Sequence, residues 1–138
     1  MSRKDTFHEI VVSALVREGW TITHDPYVLL FGIHDLQIDL GAEMPIGAER
    51  EGRKIAVEIK SFLSISTFGD LYHAIGQFQF YHSLLKRREA ERVLYLALPE
   101  DAYHTVFDVE EGNAFRRESE IKLIVYGRET EEIIEWIE

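Results

Sequence analysis

A chain of 138 residues has room for one domain with one core, and 46% hydrophobic residues are enough to fill it. The absence of cysteine excludes a disulfide framework and any thiolate metal site. Lys and Arg number 15 against 25 Asp and Glu, a formal charge of −10 with histidines neutral. Most of such a surface repels polyanions and lacks the basic footprint of a non-specific DNA binder.

In chain order, Ser2 and Asp5 read as a capping box opening a helix on which Phe7, Ile10, Val11, Ala14 and Leu15 recur at helical spacing, with Gly19 as the stop. Residues 20–23 alternate as a short strand, Asp25-Pro26 makes a turn, and 27–31 is an expected edge segment. Strands are expected at 35–42 and 53–62, antiparallel neighbours joined by a loop over 44–52 that contains Pro45, Gly47 and Gly52. Thr67 and Asp70 cap the longest helix, 67–88, with Leu71, Ala74, Ile75, Phe78, Tyr81 and Leu85 on its apolar face. Gly76 within that helix suggests close packing against the sheet. The apolar run 93–98, closed by Pro99, reads as a buried strand. A helix or turn around 100–113 precedes a strand at 121–126, and 133–137 is read as a strand turning back from Tyr126.

The expectation is one α/β domain over residues 1–138. No apolar run approaches the ~20 residues that span a bilayer. The N-terminus lacks a signal-peptide core, so a cytoplasmic location is expected.

The segment 54–60 carries the chemistry. On a strand, Ile55, Val57 and Ile59 point one way and Ala56, Glu58 and Lys60 the other. A carboxylate and an ammonium therefore share a face, beside a small residue that leaves space above the sheet. On its own the pair reads equally well as an exposed ion pair of little energetic weight. Asp39, between apolar neighbours on the preceding strand, changes that balance. If the two strands pair, Asp39 and Glu58 converge on one hard cation, Mg²⁺ or Mn²⁺, and Lys60 is placed to stabilise charge developing on a phosphate.

Asp39 followed by Glu58-Ile59-Lys60 resembles the signature of the PD-(D/E)xK nuclease superfamily, with Ile38 where that formula writes proline. The wider segments 37–43, 55–62, 74–77 and 92–97 resemble the XisH-like proteins, called fdxN-element excision controlling factors in cyanobacteria. The resemblance covers nearly the whole chain. It implies a restriction-endonuclease-like α/β fold, a central mixed sheet flanked by helices, and a link to programmed excision of a DNA element.

It further implies Asp39 and Glu58 as metal ligands, completed by the Ile59 carbonyl, with Lys60 as the catalytic cation. Glu9 on the first helix is a candidate third carboxylate, and Gln77 on the long helix a candidate to hold Lys60 or a metal water. Implied partners are a companion factor, XisI, and DNA, the latter held with a partner's help given the charge; a homodimer is left open. The rival reading is a regulatory protein-interaction module that cleaves nothing. No spacing among the six histidines suggests a ligand set.

Overall fold

The computed structural model describes residues 3–28, 30–31, 36–37, 45–62 and 68–138. Helix α1 (Arg3–Arg17) is followed by strand β1 (Thr21–His24) and by two short strands, β2 (Leu30–Phe31) and β3 (Leu36–Gln37). Strands β4 (Ile46–Arg50) and β5 (Arg53–Ile59), helix α2 (Phe68–Arg88) and strand β6 (Arg92–Pro99) come next. Helices α3 (Glu100–Val106) and α4 (Glu110–Glu118) and strands β7 (Leu123–Tyr126) and β8 (Ile133–Ile137) complete the order. Six strands form one mixed sheet, β1-β4-β5-β6-β7-β8, in which β5, β6 and β7 run parallel and the other pairs antiparallel.

Both faces of the central strands are covered, which is why 93–98 reads as an unbroken apolar run. Leu94, Leu96 and Leu98 join Ala56, Leu123 and Val125 on one face, packed with Phe78, Tyr81 and Leu85 of α2 and Ala102 of α3. Tyr95 and Ala97 join Ile46, Ala48, Ile55, Val57, Ile124 and Tyr126 on the other, packed with Phe7, Ile10, Val11 and Leu15 of α1. Each such large side chain, fully buried, contributes about 1.5–3 kcal/mol. The helical positions expected from periodicity on α1 are the ones buried, and Gly19, at φ +93°, ends that helix. Ser2 and Thr67, the expected caps, lie outside the described residues.

The structure corrects the sequence reading in four places. The antiparallel neighbour of β5 is β4, within the expected loop 44–52. The two join through Glu51 (φ 50°) and Gly52 (φ 81°), both left-handed as a two-residue hairpin turn requires. Leu36–Gln37 pairs with Leu30–Phe31 in a separate two-stranded sheet; 38–44, including Asp39, lies outside the described residues. The segment 100–113, expected as a helix or turn, is part of two helices separated at 107–109, the second running on to Glu118. Gly76 does not pack against the sheet: a Cβ there would meet nothing within 4 Å.

One corner of the sheet is closed by polar groups. Arg92, 5% exposed, donates to Glu89 Oε1 at 2.7 Å and to the Ile55 carbonyl at 2.8 Å, and its guanidinium sits 4.8 Å from the centre of the Tyr27 ring. The Tyr27 hydroxyl donates to Glu89 Oε1 at 2.5 Å, and burial together with that bond pushes its pKa up to about 12. Gly47 passes under this cluster, where a Cβ would lie 2.9 Å from His24 Nδ1 and 3.1 Å from Arg92 Nη1, so only glycine fits without a shift.

Hydrogen bonding from Arg92, aided by Tyr27 and the charges of Arg92 and Lys54, lowers the Glu89 carboxyl from 4.5 to about 2. Because the folded pKa is depressed, the stabilisation is present above pH ~4.5 and is lost as pH falls towards about 2. Partial exposure reduces it to the order of 2 kcal/mol. Urea midpoints between pH 6 and pH 2.5 should therefore fall less steeply for Glu89→Gln than for wild type; parallel curves would refute this linkage.

Candidate functional site

Glu58 and Lys60 stand where β5 leaves the sheet, on the side of Ala56 and α2. Both are buried, at 1% and 8% exposure, so the exposed ion-pair reading does not apply. Nor is there empty space over Ala56, which is fully buried within the α2-side cluster. Ligands of parallel α/β sheets gather at the carboxyl ends of strands, which is where this pair lies.

Lys60 is held from three directions. Its backbone N–H donates to Ala97 O of β6 at 2.9 Å, and its carbonyl accepts from the Tyr126 hydroxyl of β7 at 3.0 Å. Its ammonium donates to Oε1 of Gln77, a buried residue of α2. Burial keeps the Tyr126 hydroxyl protonated, raising its pKa above the usual tyrosine value. The next carbonyl, of Ser61, accepts from Arg128 Nη2 at 2.8 Å. Phe62 then takes φ +48°, a left-handed conformation costing a non-glycine residue about 1–2 kcal/mol.

Of the residues singled out from sequence, Glu58, Lys60 and Gln77 share the α2 side of β5. Ile59 is half-buried, in parallel register with Ala97. Glu9 is exposed on α1, whose buried residues join the opposite face of the sheet. Asp39 lies outside the described residues, and among those described no three His, Asp or Glu side chains gather as a metal site. Tyr126 and Arg128 escaped the sequence reading; a tyrosine closing an apolar strand and an arginine two residues later carry no spacing signal.

The arrangement defines an α/β domain with a mixed six-stranded sheet and a buried carboxylate, ammonium and amide at the exit of a central strand. A model of the XisH protein family matches residues 1–134, and the chain belongs to the XisH family. An XisH family protein from Nostoc punctiforme is 41% identical, with a TM-score of 0.86 over 97% of this chain and 100% of that one. A protein from Anabaena variabilis described as an fdxN element excision controlling factor is also 41% identical, with a TM-score of 0.86 over 97% of this chain and 99% of that one. No curated protein matches the chain. Among the described residues no helix is long and apolar enough to cross a membrane.

Proposed function

We propose that this chain acts in the excision of a DNA element and carries a metal-dependent nuclease site of the PD-(D/E)xK type. The observation behind this reading is the burial of Glu58 and Lys60 together, 1% and 8% exposed. Removing two charges from water costs several kcal/mol per ion, and an apolar pair of similar volume would often be no less stable. A costly pair kept at the carboxyl end of a central strand is better explained by chemistry than by stability. The excision role comes from the name of the Anabaena variabilis relative.

Oxygen donors suit a hard cation, and Mg²⁺ sites often use only one or two carboxylates. Glu58 and Asp39 would hold Mg²⁺ or Mn²⁺, with the Ile59 carbonyl completing the set. The bound ion would supply Lewis acidity to a phosphate and lower the pKa of a water. Lys60 would stabilise negative charge developing on the phosphate oxygens, with its ammonium oriented by Gln77. With a net charge of −10, the domain needs positive surface from a partner, an XisI-like companion, to hold DNA near the site.

Two observations favour a second reading, a partner-binding regulatory module that cuts nothing. One is the acidic charge. The other is an aromatic pair on α2, Phe68 (69% exposed) and Tyr72 (67% exposed), with ring centroids 6.0 Å apart.

Calorimetric Mn²⁺ titration should show binding to wild type and to Lys60→Ala but not to Asp39→Ala. Lys60→Ala should abolish Mn²⁺-dependent cutting of DNA assayed with the companion present. Unchanged excision in cells carrying Lys60→Ala, with excision blocked by Phe68→Ser/Tyr72→Ser, would decide for the module.

A further inference from the structure

The exit of β5 is fixed by the end of β7 as well as by α2. The strand stops at Ile59, so the carbonyls of Lys60 and Ser61 lie beyond its ladder, directly before the left-handed Phe62. Two groups from the end of β7 take them in succession: the Tyr126 hydroxyl at 3.0 Å from Lys60 O, and Arg128 Nη2 at 2.8 Å from Ser61 O. Arg128 is itself braced. Its Nε lies 3.1 Å from Asp101 Oδ1 on α3, and its guanidinium lies 4.9 Å from the centre of the Phe7 ring on α1. With Ala97 O on the Lys60 N–H and Gln77 on its ammonium, the residue is held at its backbone and at its tip by β6, β7 and α2. Buried carbonyls beyond a ladder need partners in any case; here the same residue is gripped at its ammonium too, so backbone and tip together fix a direction for the side chain.

We infer that Tyr126 and Arg128 are positioning residues for Lys60, acting through the Lys60 and Ser61 carbonyls to aim its ammonium into the site. The inference rests on the nuclease reading for its catalytic meaning, whereas the geometric part stands apart from it.

The test follows the Lys60 side chain directly, by NMR of Cε and Nζ in labelled protein, in Tyr126→Phe, Arg128→Met and the control Tyr95→Phe. Tyr95 is as deeply buried, but its hydroxyl bonds Glu138 and Arg53. The Lys60 signals should move in the first two variants and stay at the wild-type position in the control. In Mn²⁺-dependent cutting, kcat should drop about tenfold or more in Tyr126→Phe while KM for DNA and Mn²⁺ affinity stay within about twofold.

Wild-type Lys60 signals in folded Tyr126→Phe and Arg128→Met would overturn the inference, as would undiminished kcat in both. If Tyr126→Phe does not fold, Arg128→Met decides alone. If wild type cuts no DNA, the nuclease reading fails by itself, and the NMR comparison still decides whether the end of β7 aims Lys60.

Discussion

Gly112→Ala should cost the domain at least about 3 kcal/mol and lower its melting temperature by roughly 10 °C, since overpacking typically costs 1–3 kcal/mol and a fixed backbone neighbour puts this case at or beyond the top of that range. Gly112 lies in the first turn of α4, facing the end of α3. A Cβ there would come to 1.7 Å from the Val106 carbonyl oxygen and 3.1 Å from Phe107 Cα. Both obstacles are backbone, so relief requires moving one helix relative to the other. That displacement would disturb Phe107 and Ala102, which are 1% and 0% exposed in the α2-side core. Gly76→Ala is the matched control, because its Cβ would meet nothing within 4 Å. It should add up to about 1 kcal/mol through helix propensity. Opposite signs in thermal unfolding are the expected result; a loss of less than 1 °C in Gly112→Ala would show that the α3–α4 contact is not tight.

Arg92→Ala should cost about 3–5 kcal/mol, on the order of 2 kcal/mol from the partly exposed Glu89 carboxylate and about 1–3 kcal/mol from the Ile55 carbonyl left unpaired. The guanidinium serves the Glu89 carboxylate, the Ile55 carbonyl and the Tyr27 ring at once. Its loss strands an acceptor and a partly buried carboxylate and opens a void between Tyr27, Gly47 of β4 and Ile55 of β5. Arg92→Lys should recover only part of the loss, because an ammonium cannot fork to Glu89 while stacking on Tyr27. Chemical denaturation of both variants near neutral pH checks the ranking. A penalty under 1 kcal/mol for Arg92→Ala would mean that apolar packing alone holds this corner.

The fold was legible where one period dominates. Helices α1 and α2 announce themselves through i, i+3, i+4 apolar spacing, and β6 through an unbroken apolar run ended by proline. Strand β4 was not legible, because Pro45 and Gly47 are usually signs of a loop. Gly47 is there for tertiary reasons, to let His24, Tyr27 and Arg92 pack over the strand, and nothing local records those neighbours. Glu51-Gly52 works as a hairpin turn without the Asn or Asp that would flag it. At the candidate site, strand alternation was enough to put Glu58 and Lys60 on one face. Their burial depends on α2, which the local pattern of β5 does not encode. The hold of Tyr126 on Lys60 O joins residues 66 apart in sequence, beyond any spacing rule.

The net charge of −10 has a consequence at β8 as well. That strand is an edge of the main sheet, and Ile133, Ile134, Trp136 and Ile137 make four of its five residues strongly β-forming and apolar. Such an edge invites strand-to-strand joining between molecules, the first step of ordered aggregation. Glu135 stands exposed within it, and Glu129, Glu131, Glu132 and Glu138 lie exposed on either side. Two copies approaching edge to edge bring these carboxylates together, so the acidic end acts as a gatekeeper for colloidal stability, most effective at low ionic strength and weaker as salt shortens the Debye length.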